Sequence, residues 1–507
     1  MRLYLLAGFY CSNDAEQCYD RIAHNVAIMA LRRLGAPFKA LQSLFGTLQQ
    51  AVHYIMTGYG LSDTSYGGQE CMDQGKAPLQ GVLQGNGLGP TIWVAISSVL
   101  IQIMIKEGHG AAFVGALTLL PMFIACFAFV DDTDLCHTIR NTTASQAEKI
   151  EEFQASLDAW VGLIRATGGD IKISKSFWGM LDFTWRNHEW TTKTKAKTPG
   201  ELMIQSADGT EMATLERIEL STGQETLGIK LALDGNMKSE KVYLQQHSSE
   251  FAAHLLKGGK LSKNAAWRAM KTTIMSRLKY PLAATSLTEH EWDKIIQPVL
   301  MATLPRAGMV SRFPRKVVFG PVKFQGTGEI HPYHEQEMER MAVVMEEVNH
   351  NTLLGRNIKI QMEAVLRQVG LPGPITHWDY KALGACVPNC WVKRLWKYCW
   401  EHNIRLVDDM PAFQKAREGD QFIMEAFLQA GYAGEQLRML NYCRCWCKAI
   451  TLADLATADG AYLQPRAMTP SHNGFTYNTV AWNRDPPALA PKFWTIWKQA
   501  LEKCFTR

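Results

Sequence analysis

The chain of 507 residues carries 53 Lys and Arg against 48 Asp and Glu, a formal net charge of +5, with 47% apolar and 20% charged residues. That mixture suits a core-forming protein about three domains long and excludes a disordered tail protein or a collagen-like fibre. Twelve cysteines are too few for a small disulfide scaffold. An excess of five positive charges does not diagnose a partner; its distribution along the chain carries more information.

In chain order, the N-terminal MRLYLLAGFYCSND predicts a buried strand. The run is short for a signal peptide and lacks a small-residue cleavage site. Ile22, Val26 and Met29 recur at helical spacing until Gly35 and Pro37. A second helical pattern places Leu41, Leu44, Leu48, Val52 and Ile55 on one face. Residues 58–81 are polar and Gly-rich and predict a hairpin or loop. Pro90 then opens a third helix reaching about Glu107.

Residues 110–130 lack any charge and are long enough to span a bilayer. Pro121 at the centre, Gly110 and Gly115, and the carboxylates that follow favour buried strands, so no membrane is expected as a partner. Ile150, Phe153, Leu157, Trp160 and Ile164 mark another helix. Strand-like sequence returns at residues 171–173 and 227–229. Helices and strands alternating up to about residue 245 predict an α/β layer, a small sheet covered by helices. Beyond it, residues 245–300 read as helical and basic, 306–330 as Gly/Pro-rich and irregular, and 335–500 as mostly helical.

Three segments carry candidate chemistry. In FAFVDDTDL, residues 127–135, an apolar strand runs into Asp131 and Asp132. A hairpin would expose both at its turn, where adjacent acids repel unless a cation neutralises them; Asp is also an ordinary turn residue. In NDAEQCYDRI, Asp14 ends the first strand and Tyr19 lies five positions on. Asp14 and Asp20 read equally as acids at the positive end of a helix. Strand pairing could bring Asp14 beside Asp131, a carboxylate cluster suited to two Mg²⁺ ions. In GVLQGNGLGPTIW, residues 81–93, Gly85, Gly87 and Gly89 permit close approach before a helix. The segment lacks the Lys-Ser/Thr pair of a phosphate-binding loop.

The positive charge is unevenly spread. Residues 257–316 hold 12 Lys or Arg, Lys257, Lys260, Lys263, Arg268, Lys271, Arg277 and Lys279 among them, against Glu289, Glu291 and Asp293. Such a surface suits phosphates read independently of base sequence. WVKRLWKYCW, residues 391–400, predicts an amphipathic helix burying Trp396 and Trp400. Cys386, Cys390, Cys443, Cys445 and Cys447 do not form the paired CxxC spacing of a zinc site. His137 reads as a packing or solvent-facing residue, since Mg²⁺ prefers oxygen donors.

In this order, the segments resemble the palm of a reverse transcriptase, most nearly the non-long-terminal-repeat retrotransposon type found in algal and other eukaryotic elements. DAEQCYD matches the family's DxxxxFD motif, QGNGLGP its QGxxxxP motif, and FVDD its aromatic-x-Asp-Asp motif. ATGGDIKISKS and TLGI resemble the later Gly/Lys and hydrophobic-Gly elements. The resemblance implies an α/β (α+β) palm with an antiparallel sheet and covering helices over residues 1–245, with the fingers truncated or absent. A basic helical thumb over 246–305, a Gly/Pro-rich connector over 306–330 and a mostly helical region of unassigned role over 331–507 would follow. It implies Asp14, Asp131 and Asp132 as metal ligands for two Mg²⁺ ions, with Mn²⁺ as a substitute, and Lys175 as a catalytic group at the leaving pyrophosphate. Tyr19 would discriminate the sugar, and Gln84 and Gly85 would shape the nucleotide and template pocket. The implied activity is RNA-directed DNA synthesis from deoxynucleoside triphosphates on a primed RNA or DNA template, in the nucleus or cytoplasm. A fingers region supplied by another polypeptide or upstream segment is a further expectation. The alternative is a truncated, inactive nucleic-acid-binding remnant.

Overall fold

The computed structural model describes residues 4–16, 18–67, 81–82, 87–206, 209–259, 261–406, 412–469, 478–485 and 488–505. Its architecture is mixed α/β. The central five-stranded sheet is built on β1 (Gly8–Asp14), which pairs antiparallel with β7 (Asp132–Thr138) on one side and with β8 (Phe177–Leu181) on the other. β6 (Cys126–Phe129) extends the sheet beyond β7, and the short strand Glu216–Arg217 runs parallel to β8 at the opposite edge.

Pleating gives β1 two unlike faces. Phe9, Cys11 and Asn13 are buried, with Phe9 stacked on Phe153 at 4.8 Å between ring centroids. Tyr10, Ser12 and Asp14 occupy the other, half-open face. The buried face is covered by α1 (His24–Arg33), α2 (Phe38–Gln50), α3 (Gly89–Lys106) and α4 (Gln146–Ala166). α4 starts in a capping box: Ser145 Oγ accepts from the Glu148 backbone N–H, and the Glu148 carboxylate accepts from that of Ser145.

Residues 110–130 form three short strands: β4 (Ala111–Val114), β5 (Pro121–Ile124) and β6. The helix long and apolar enough to cross a membrane among the described residues is instead α3. Its Ile92, Trp93, Ala95, Ile96, Leu100 and Met104 are buried in the core between α1 and α4.

Two sequence expectations change here. The pattern from Leu41 to Ile55 is broken at Gln50: Leu41 lies in the core, but Val52 and Ile55 belong to β2 (Val52–Thr57), paired with β3 (Gly60–Gly67), and are half exposed. In α1 the buried residues are Ala27 and Ala30, and Met29 faces outward. An exposed hairpin has no core to impose period-2 patterning, so its apolar residues mimic a continuing helix.

Residues 238–306 form a helical unit of α5 (Lys238–Lys257), α6 (Lys263–Ala269), a π-helical turn at Met270–Met275, and α7 (Glu289–Arg306). Its core gathers Leu244, Met270, Ile274, Leu278, Trp292 and Val299. Gln336, fully buried on α8 (Pro332–Asn349), ties the next region to it. Its side-chain oxygen accepts from Thr285 Oγ1, the Leu287 N–H and Trp292 Nε1, each at 3.0 Å.

The C-terminal region has its own core around α9 (Leu353–Val369), α10 (Trp391–Glu401), α11 (Gly434–Trp446) and α12 (Pro491–Phe505). Trp396 of α10 is fully buried as expected, but Trp400 is 40% exposed. This region grips the β4–β5 turn through Glu363 of α9, whose carboxylate accepts from the backbone N–H groups of Leu117 and Thr118 at 2.9 and 3.1 Å.

Arg444 is fully buried and, among the described residues, has no acidic hydrogen-bond partner. It donates to Asn441 Oδ1 and to the carbonyls of Ala449, Arg367 and Gln368 at 2.7–3.0 Å. Replacing Arg444 with Leu strands these buried carbonyls. It is expected to destabilise the C-terminal region by about 3 kcal/mol or more, read as a lower urea midpoint; an unchanged midpoint would refute this account.

Candidate active site

Register brings the acids together. Asp14, the last residue of β1, lies directly opposite Asp132, the first of β7, and Ser12 lies opposite Asp134. Asp132 is also the partner of Phe129 across the β6–β7 hairpin, which leaves Val130 and Asp131 as a two-residue turn. Neighbouring antiparallel partners have Cα atoms about 4.5–5.5 Å apart. Because alternate residues share a face, Asp132 and Asp134 join Tyr10, Ser12 and Asp14 on the open side of the sheet.

The turn is strained. Val130 has φ +58°, while Asp131 is not among the positive-φ residues, the pattern of a type II′ turn that favours Gly at the first position. A branched side chain there costs about 1–2 kcal/mol. The Val130 carbonyl accepts a hydrogen bond from the indole Nε1 of Trp93, buried on α3. Neither the φ of Val130 nor this bond was expected from the sequence; an aromatic-x-Asp-Asp turn with a bulky x is the nearest signal of strain.

The segment after α4 wraps around the end of β1. The Glu16 N–H donates to the Asp170 carbonyl and the Lys172 N–H to that of Asp14, both at 2.8 Å. The Asp14 N–H donates to Ser176 Oγ at 3.2 Å. Gly168, at φ +92°, makes the return possible: a Cβ there would stand 2.4 Å from the Arg21 carbonyl oxygen. The wrap delivers Lys175, whose Nζ lies 3.1 Å from Asp14 Oδ2.

Tyr19 is half buried beside this cluster, its hydroxyl pKa raised by desolvation and then by Cys18 and Asp131. Its ring lies against Gly89 at the start of α3, where an added Cβ would come within 3.3 Å of Tyr19 Cδ1. Gln84 and Gly85 lie outside the described residues.

Asp132 is exposed at the end of its strand. Its carboxyl is raised above the ordinary range by desolvation, then by Asp131, Asp14 and Asp134, with Lys175 opposing. Asp134, which the sequence reading assigned no role, is raised by burial and hydrogen-bonded by Tyr10 and Ser12. All these donors are hard oxygens, the type that suits Mg²⁺, and Lys175 already stands as a cation at Asp14. Donor type therefore fits the ion that the resemblance implies. Among the described residues, however, no group of three or more His, Cys, Asp or Glu side chains is gathered closely enough to hold a metal ion. His137 is buried, takes a hydrogen bond from the Gly110 N–H and pairs with Glu152 at 2.8 Å. It is a packing residue and does not face solvent.

The basic segment is partly neutralised by acids outside it. Lys271 pairs with Glu329 at 2.5 Å and Lys279 with Glu335 at 2.9 Å. Arg277 is held by Tyr243 and His247 at 3.1 and 2.9 Å. Lys257, Lys263 and Arg268 are exposed and have no carboxylate partner among the described residues. Lys260 lies outside those residues.

No protein-family description matches the sequence, and no curated protein is similar to it. Among solved structures, the chain is similar to apo telomerase from Candida tropicalis at 15% identity, covering 71% of this chain and 51% of that one, with a TM-score of 0.30. It is similar to the same telomerase in complex with a TWJ fragment of telomeric RNA at 11% identity, 68% and 47% coverage, and a TM-score of 0.27. The Candida albicans telomerase with a TWJ fragment of telomeric RNA gives 11%, 68% and 47%, and a TM-score of 0.21. The chain spans about half the length of these structures. Overall superpositions of this quality leave function to be argued from the site itself.

The raised Asp132 carboxyl sets a pH dependence. The folded chain keeps this proton to a higher pH than the unfolded chain, so ionisation removes stability as pH rises from the ordinary carboxylate pKa through the raised one. Asp132→Asn is expected to raise Tm over wild type by on the order of 1 °C near pH 7 and to lose that advantage near pH 3. A difference that is flat across this range, measured by scanning calorimetry, would contradict the raised Asp132 carboxyl.

Proposed function

We propose that the chain is a nucleotidyltransferase with a reverse-transcriptase palm, extending a primer on an RNA or DNA template with deoxynucleoside triphosphates. The observation that carries this reading is the β1–β7 register, which sets Asp14 against Asp132 with Asp131 in the adjoining turn and Lys175 on Asp14. Residues 1–245 would be the palm, 246–305 the thumb and 306–330 a connector to the helical region at 331–507. The retroelement origin and an intracellular setting, nucleus or cytoplasm, belong to the same proposal.

Asp14, Asp131 and Asp132 would hold two Mg²⁺ ions, or Mn²⁺ in their place, supplying activation of the primer 3′-hydroxyl and charge neutralisation at the leaving pyrophosphate. The chain's own groups position and discriminate. Tyr19, backed by Gly89, would lie under the sugar of the incoming nucleotide and collide with a ribose 2′-hydroxyl. Lys175 would leave Asp14 for the triphosphate and stabilise the departing pyrophosphate, by charge or by giving it a proton. Gln84 and Gly85 would shape the nucleotide and template pocket. Lys257, Lys263 and Arg268 would follow the duplex phosphates, with Lys260 in the same stretch. Lys271, Arg277 and Lys279, already engaged, would contribute less.

The remnant reading, a nucleic-acid-binding chain without catalysis, is favoured by the lack of a gathered metal-ligand group among the described residues. Primer extension by the full chain with Mg²⁺, on RNA and DNA templates, separates the two. The expected outcome is extension that falls at least roughly 10²-fold in the Asp131→Ala, Asp132→Ala double variant. Undiminished extension by that variant would remove the acids from the reaction. Template binding by wild type without extension would leave the remnant.

A further inference from the structure

Gly89 and Trp93 are four residues apart at the start of α3, and therefore lie on one face of the helix, one turn from each other. The first backs the Tyr19 ring, and the second bonds the carbonyl of the strained Val130. Val130 joins β6 to the pair Asp131 and Asp132, so the peptide that Trp93 holds is the one leading into both acids. Trp93 is 4% exposed, and it reaches this carbonyl across 37 positions of sequence. The Phe129 and Phe127 side chains on the same hairpin are more than half exposed and do not bury it. A two-residue turn with a valine at positive φ, at the rim of an open sheet face, would relax toward ordinary φ if nothing external fixed its carbonyl.

We infer that Trp93 is a positioning residue for the acidic turn: its indole N–H holds the Val130 peptide in the orientation that presents Asp131 and Asp132 to the cation. α3 thereby sets the turn and the Tyr19 ring from one rigid surface, and any displacement of its first turn moves both together. This deepens the polymerase reading and rests on it for the role of the acids, while the hydrogen bond and its effect on the turn are independent of it.

The variant that isolates the bond is Trp93→Phe, which keeps an aromatic ring in the core and deletes the donor. Its partner is Val130→Gly, which lets the turn adopt positive φ without support. Hydrogen–deuterium exchange on the full chain, followed over the peptide covering residues 126–138, is expected to be roughly tenfold faster in Trp93→Phe and to return toward the wild-type rate when Val130→Gly is added. Mn²⁺ binding, followed by loss of the free-ion EPR signal, and the Mg²⁺ concentration for half-maximal extension are expected to weaken three- to tenfold in Trp93→Phe. Both should recover in the double variant, with far-UV circular dichroism unchanged throughout.

Unchanged exchange in Trp93→Phe would overturn the inference. So would faster exchange or weakened Mn²⁺ binding that Val130→Gly fails to rescue, because lost packing around the ring would then be the cause. Faster exchange with unaltered Mn²⁺ affinity would also overturn it, reducing Trp93 to a structural contact. If wild type neither binds Mn²⁺ nor extends a primer, the polymerase reading and the presentation of the acids to a cation fall together. Exchange then decides only whether the indole bond exists.

Discussion

A pleated strand offers two faces at a period of two residues, and β1 uses them for opposed purposes. One face, Phe9, Cys11 and Asn13, is sealed against the helical layer. The other carries Tyr10, Ser12 and Asp14 toward open space. The sealed face fixes the register, because a slip of one residue would bury Asp14 and expose Phe9. Once β7 pairs in that register, Asp132 and Asp134 fall on the open side as a geometric consequence. The hydrophobic core thus sets the position of the acids.

Gathering like charges opposes folding, and the surrounding chain answers in two ways. The return segment after α4, held by backbone hydrogen bonds to β1, places a lysine on Asp14. The hairpin turn is held from behind by a buried indole. The C-terminal region, gripping the β4–β5 turn through Glu363, stabilises the strand pair that precedes β6. Distant parts of a long chain therefore bear on a few residues at the end of one sheet.

Much of this was legible in sequence because it rests on local pattern. The helix over Gly89–Lys106 is announced by Pro90 at its start, and the helix over Gln146–Ala166 by Ile150, Phe153, Leu157, Trp160 and Ile164 at helical spacing. The charge-free stretch divided into strands at its own Pro and Gly. What escaped depends on residues far apart. The basic tally of 257–316 missed Glu329 and Glu335 just beyond it, which neutralise two of its lysines. The Trp93–Val130 bond joins two segments with no shared pattern, and positive φ at a valine runs against local preference. The Val52 and Ile55 reading failed because three- and four-residue spacing of apolar groups is also what an exposed hairpin can show.

The ion pair between Lys175 and Asp14 has a consequence for the order of events. In the proposed reaction, an ammonium that turns its charge toward a phosphate gives up part of its pairing with the carboxylate. An anion that draws Lys175 away leaves Asp14 uncompensated beside Asp132, and so raises the attraction of the cluster for a cation. A cation that displaces Lys175 frees it, in turn, for the anion. Linkage requires these two effects to be equal in free energy, so under the proposed function a cation and an anion would bind cooperatively, through a single lysine that shifts between partners.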